Sequence, residues 1–176
     1  MIELDFNKLL ESAPLLVRRK VIALKSLRER PDFHPEPSTY EHIKIVTERL
    51  FKTENPDLIL SGVLHDICKL DCAKTNPKTG WPSSPGHEEE AYKIVNDSSE
   101  IKDWIFRNGG NWLRVSIIVR DHGKIHLIDQ MRPKKRLQYI EMWKENEVWE
   151  LLNIFGEADD MLKEFDASEV LNRNFY

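Results

Sequence analysis

His65 and Asp66 stand side by side in the run Gly-Val-Leu-His65-Asp66-Ile-Cys-Lys69-Leu, with His42 before them and His87, His122 and Asp159 at well-spread positions after them. Imidazole nitrogen and carboxylate oxygen are the donors that hold divalent Mn, Ni, Co, Fe, Mg or Zn. Such an ion lowers the pKa of bound water from about 15.7 toward about 7 and polarises a phosphoryl oxygen, so a chain that gathers these residues is a hydrolase candidate. Taken singly, a histidine on an apolar helix face reads as a satisfied core residue. Taken together, inward-facing acids and imidazoles without a cation would cost several kcal/mol of desolvation.

The residues need elements that aim them at one point. Apolar positions over residues 6–30 fit one or two amphipathic helices, with Pro14 near a start. The prolines at 31, 35 and 37 make a loop, after which Ser38 or Thr39 caps a helix running to about Phe51 that carries His42. Asn55-Pro56 opens a helix that is apolar nearly all round, hence buried, with His65-Asp66 at its C-terminal part. Residues 71–86 form the longest connector. Ser84-Pro85 starts a helix with His87 in its first turn, where Glu88, Glu89 and Glu90 read as dipole partners rather than ligands. Residues 96–111 read as polar and broken at Gly109-Gly110. A helix from about Trp112 places His122 one turn beyond Ile118, a turn follows at 131–133, and helices at about 134–145 and 147–165 complete the core, the last bearing Asp159. No stretch with β periodicity is convincing, so the expected class is all-α, a bundle of about six to eight helices.

Phosphate chemistry also needs cations. Lys69, one turn beyond His65, and Arg120, two residues before His122, are candidates, each equally readable as a paired surface charge. Arg132, Lys134, Lys135 and Arg136 form the one dense basic run, either a guide for a nucleotide or RNA end or a solvated helix start. Trp81 in the long connector stacks on a base or folds back as a plug. His126, at i+4 from His122, suits phosphate or support of a ligand better than ligation, and His34 borders the same region. Cys68 and Cys72 are spaced C-x3-C and read as ordinary thiols.

The 176 residues fit one domain, and a 40% hydrophobic content supplies a core. A net charge of −4 excludes a global footprint for duplex nucleic acid. The N-terminus lacks the apolar region of a signal peptide, and no stretch approaches a membrane span, so the expectation is a cytoplasmic protein.

The order His42, His65-Asp66, His87, His122, Asp159 resembles the H…HD…H…H…D pattern of the HD superfamily of metal-dependent phosphohydrolases. The resemblance is closest to the HD domain of bacterial tRNA nucleotidyltransferases and poly(A) polymerases. It extends through His34-Pro-Glu-Pro before Tyr40-Glu-His42, Gly86-His87-Glu-Glu-Glu-Ala91, Val119-Arg120-Asp-His122-Gly-Lys-Ile-His126, Arg132-Pro-Lys-Lys-Arg136 and Ala158-Asp159. It departs at Cys68, where that branch often has glycine. It covers roughly 31–162, leaving 1–30 as an N-terminal helical extension and 163–176 as a tail around a single HD domain. With no nucleotidyltransferase head before it, the expectation is a stand-alone domain.

The resemblance implies that His42, His65, Asp66 and Asp159 hold a principal metal, with Asp66 bridging to a second at His87 and His122. With one metal only, His87 and His122 face phosphate or the leaving group instead. The chemistry of the residues themselves makes Asp66, Lys69 and Arg120 the catalytic candidates, and Lys69, Trp81, His126, Arg132 and Lys135 the substrate-binding ones. The resemblance implies hydrolysis of nucleotide phosphoesters by metal-activated water, first among them 2′,3′-cyclic nucleotides and nucleoside monophosphates. Deoxynucleotide phosphohydrolysis, a non-catalytic RNA- or nucleotide-binding module with a structural metal, and an iron oxygenase are the rivals.

Overall fold

Several helix starts in this chain are written in short polar side chains, and the computed structural model, which describes residue 2 and residues 4–173, follows them. Asp5 caps α1 (Phe6–Ser12), and Pro14 precedes α2 (Leu15–Ala23). Ser38 accepts from the Glu41 amide to start α3 (Thr39–Phe51). Asn55 accepts from Asp57 and Leu58 amides to start α4 (Pro56–Leu64), with proline in the first turn. A four-residue α5 (Lys69–Cys72) and a minimal hairpin of β1 (Lys74–Thr75) and β2 (Pro82–Ser83) follow. Then come α6 (His87–Asp97), α7 (Ser99–Arg107), α8 (Trp112–Ile125), α9 (Pro133–Glu145), α10 (Trp149–Asp159) and α11 (Ala167–Leu171). None of these helices is long and apolar enough to cross a membrane.

The protein is all-α. Its helices are more numerous and shorter than the sequence pattern implies. The segment 96–111, read as polar and broken, holds α7. Ser98 caps it through the Ile101 amide, and Ile101, Trp104 and Ile105 form a buried stripe at i, i+3 and i+4. The connector 71–86 is partly structured by α5 and the hairpin. The last long helix stops at Asp159 rather than near 165, because Asp160 turns extended, and α11 forms in the expected tail.

The core lies where α4 is enclosed by α3, α8 and α10, with α6 laid along α8. Every α4 residue from Asp57 to Leu64 is buried. Gly62 lets α3 close on α4. A Cβ there would sit 3.0 Å from Thr47 Oγ1 and 3.1 Å from Thr47 Cα, and the second of these is backbone that has nowhere to go. This close approach brings His42 on α3 toward His65 at the end of α4.

Candidate metal centre

Five helices each deliver a polar side chain to one point. His42 comes from the second turn of α3, His87 opens α6, His122 lies in the last turn of α8, and Asp159 is the final residue of α10. His65 caps α4, and the chain enters a turn over 65–68, so neighbouring His65 and Asp66 both face the same interior. Two triads result, His42–His65–Asp159 and Asp66–His87–His122, each with donor atoms within 4.8 Å of one another.

Asp66 joins the triads. Its Oδ2 lies 3.2 Å from His65 Nε2 and 3.6 Å from His42 Nε2, while its Oδ1 lies 3.0 Å from His87 Nε2 and 3.5 Å from His122 Nε2. Asp159 Oδ1 lies 3.0 Å from His42 Nε2 and 3.5 Å from His65 Nε2. The Phe155 ring packs against the His65 and His122 rings and closes the apolar side.

The histidine tautomers are set from behind. Nδ1 of His65, His87 and His122 donates to the carbonyls of Gly62, Ser84 and Val119, at 2.9, 2.7 and 2.8 Å. A carbonyl only accepts, so each Nδ1 carries the proton and each Nε2 turns a lone pair inward. His42 differs, because carboxylates flank both of its ring nitrogens, Glu36 Oε1 2.7 Å from Nδ1 and Asp159 Oδ1 3.0 Å from Nε2. His65 Nε2, His87 Nε2 and both Asp66 oxygens are buried without a hydrogen-bond partner, despite their proximity. These contacts set acceptor against acceptor, an arrangement that a cation between them relieves. Imidazoles with carboxylates make a hard-leaning borderline donor set, so the residues fit a divalent ion.

The electrostatics agree. Burial lowers the His65 imidazole and keeps it neutral. Burial also opposes charge on His42, yet Asp159 and Glu36 carry it up to about 10. Burial works against the Asp66 and Asp159 carboxylates too. His65 and Lys69 beside Asp66, and His126 and His42 beside Asp159, hold both well below the usual carboxylate range. The cluster thus stabilises a positive charge at its middle.

The other expected site residues divide. His126 joins the cluster through Asp159 Oδ2, at 2.9 Å. Lys69 lies behind it, its ammonium 2.9 Å from Asp66 Oδ2 and 2.8 Å from Glu29 Oε1. The Arg120 fork closes on the neighbouring buried Asp121 at 2.9 and 2.7 Å, which also accepts from Lys124 and Trp143. Trp81 sits half-exposed in the hairpin loop, where its carbonyl accepts from the Asn76 amide. Arg132 and Lys135 are exposed at the start of α9. No hydrogen bond or ion pair among the described residues ties Arg120, Trp81, Arg132 or Lys135 to the six clustered side chains. Burial pushes the Cys68 thiol up to about 11, matching an ordinary unreactive cysteine.

Sequence reasoning missed three supporting residues. Glu36 holds His42 and His34, the latter at 2.9 Å. Its signal was a lone acid between two prolines beside the first histidine. Glu29 anchors Lys69. Arg49, on the His42 face of α3 at i+7, donates to the carbonyls of Ala158, Asp160 and Lys163 and fixes the end of α10 that presents Asp159.

Among curated proteins, the chain is similar to the multifunctional CCA proteins of two strains of Xylella fastidiosa. Identity is 24% over 143 residues in both, covering 78% of this chain and 32% of each relative. The chain therefore spans about a third of the length of the curated relatives it matches. No family model matches the chain, and no solved structure matches it significantly.

Proposed function

We propose that the protein is a metal-dependent phosphohydrolase acting on nucleotide phosphoesters, with 2′,3′-cyclic nucleotides and nucleoside monophosphates as the first substrates to try. The observation that carries this reading is the convergence of buried, hydrogen-bond-free lone pairs from His65, His87 and Asp66 on one interior point. The ordered H…HD…H…H…D resemblance supports the same chemistry, and the similarity to multifunctional CCA proteins is consistent with a nucleotide-related substrate. The domain we assign to this work is the HD core, roughly 31–162.

His42, His65, Asp66 and Asp159 would hold one ion, and Asp66, His87 and His122 a second. A bound divalent ion supplies Lewis acidity, making water acidic enough to ionise near neutral pH and polarising a phosphoryl oxygen. The residues of the chain do the positioning. Gly62, Ser84 and Val119 carbonyls and Glu36 fix the imidazoles, and Asp66 spans the two triads. Lys69 balances the Asp66 charge from behind. His126, exposed and bonded to Asp159, would meet a substrate group from the solvent side.

The test is metal analysis of the purified protein, followed by a panel of 2′,3′-cyclic, 2′-, 3′- and 5′-nucleotides with Mn, Ni, Co, Mg and Zn. Wild type should retain a divalent ion and hydrolyse members of the panel, and Asp66→Ala should lose both properties. An Asp66→Ala protein with undiminished turnover would refute the reading.

A further inference from the structure

A third cluster of donors lies on the outer edge of the His42 ring. His34, Glu36 and His42 each offer an atom within 4.8 Å of the others. Glu36 Oε1 lies 2.9 Å from His34 Nδ1 and 2.7 Å from His42 Nδ1, while the other ring nitrogen of His42 faces Asp159. The two rings meet edge to face, with centroids 4.9 Å apart. Proline shapes this arrangement. His34 precedes Pro35 and Glu36 precedes Pro37, so both are pushed toward extended backbone. In an extended chain residues i and i+2 share a face, and both side chains here reach His42 on α3. The protein's own protons leave the cluster incomplete. Both imidazoles converge on one oxygen, Oε1. Glu36 Oε2 and His42 Nδ1 are buried and make no hydrogen bond. The Glu36 side chain is 3% exposed and that of His42 1%, against 25% for His34, so the cluster has one side open to water. Glu29 Oε2, 3.8 Å from His34 Nδ1, adds negative charge there, and Lys69 is shared between Glu29 and Asp66.

We propose that His34, Glu36 and Nδ1 of His42 form a further divalent-cation site, distinct from both triads of the centre and suited first to zinc. Two imidazoles and one carboxylate, with a fourth position left to water, are an established zinc donor set. Donors bound at about 2.0–2.1 Å in a tetrahedron sit about 3.3 Å apart, so the two short contacts need to open by only about 0.5 Å. The bond from the ion to Nδ1 forms as any N–H there breaks, and the proton leaves to solvent. The ion gives the buried Glu36 carboxylate and His42 Nδ1 the partner they lack. His42 then joins this site to the centre, with one ring nitrogen turned to each. Two cations on one ring repel each other, so the outer site fills after the inner one. The site stands on its own geometry, whatever the centre hydrolyses.

The experiment titrates the chelator-treated full chain with zinc and counts bound metal by equilibrium dialysis and elemental analysis. Wild type should bind one more ion per chain than His34→Ala, and that ion should be the weakest held. Removing a direct ligand should weaken this step by more than the roughly 10–100-fold that follows loss of a partner behind a ligand. Thermal melts of the metal-free proteins check that His34→Ala folds. Crystals of the zinc-loaded wild type should show anomalous density within bonding distance of His34 and Glu36. Equal uptake by wild type and His34→Ala, or anomalous density confined to the two inner triads, would overturn the proposal. Asp66→Ala, run alongside, separates this site from the centre. Zinc that depends on His34 with none that depends on Asp66 defeats the phosphohydrolase reading alone. Zinc that depends on Asp66 with equal uptake by His34→Ala defeats the outer site alone.

Discussion

Replacing Glu36 by glutamine tests whether the proline-flanked loop is part of the centre or merely lies beside it. Glu36 is buried, with one oxygen 2.7 Å from His42 Nδ1 and 2.9 Å from His34 Nδ1. Burial raises its carboxyl, but the His34 and His42 imidazoles bring it from an ordinary 4.5 down to about 2. That difference of 2.5 units is worth about 3 kcal/mol at about 1.36 kcal/mol per unit. His42 also faces Asp159, so the Glu36 side gives the cleaner figure. A carboxyl lowered on folding contributes fully above its unfolded value and loses the contribution as pH falls toward its folded value. Glutamine keeps the shape and removes the charge. In chelator-treated protein, urea unfolding should therefore show Glu36→Gln less stable by about 3 kcal/mol at pH 7, but by only about 1 kcal/mol at pH 3. Calorimetric titration with Mn or Ni at pH 7 should show an affinity 10–100-fold weaker, roughly the effect of losing a partner behind a ligand. A stability loss of equal size at both pH values, or metal affinity matching wild type, would refute the reasoning.

Three further outcomes follow from the packing. Gly62→Ala should cost about 1–3 kcal/mol, because its Cβ meets the Thr47 backbone, and lower the melting temperature by several degrees. Arg49→Met removes the donors to Ala158, Asp160 and Lys163, so hydrogen exchange should quicken over 158–163 and divalent-ion affinity should fall. Arg120→Ala leaves Asp121 with only Lys124 and Trp143 and should destabilise by about 1–3 kcal/mol; a fall in kcat with an unchanged melting temperature would instead place Arg120 against substrate.

The long helices were legible because caps and apolar periodicity agreed. Asn55-Pro56 starts α4 where the pattern requires, and the all-apolar run after it is buried. What escaped were elements whose local pattern is short or mixed. In α7 only Ile101, Trp104 and Ile105 are buried, and Lys102 and Asp103 between them, with Arg107 just beyond, mask the stripe. Nothing in Asp159-Asp160-Met-Leu breaks a helix, so the sequence pattern carries α10 too far; the stop comes with Arg49, which reaches from a different helix to take the terminal carbonyls. Tertiary contact of that kind leaves no local mark.

The same distinction separates the ligands from their supports. Histidines and aspartates stand out in a sequence because their chemistry is specific to residue type. The groups that aim them are backbone carbonyls at Gly62, Ser84 and Val119, which any residue carries, and acids such as Glu29 and Glu36 that look like surface charges. Charge makes the supports necessary. Asp66, Asp159 and Glu36 crowd a largely buried volume in which Lys69 is the ammonium present, and Lys69 is shared with Glu29. Protonation of His42 offsets part of that excess, which is why neighbouring carboxylates hold its imidazole near 10. A proton on His42 neutralises one charge at one atom, whereas the lone pairs of His65, His87 and Asp66 Oδ1 stay opposed. A divalent cation is the species whose charge and multiple coordination answer both demands together.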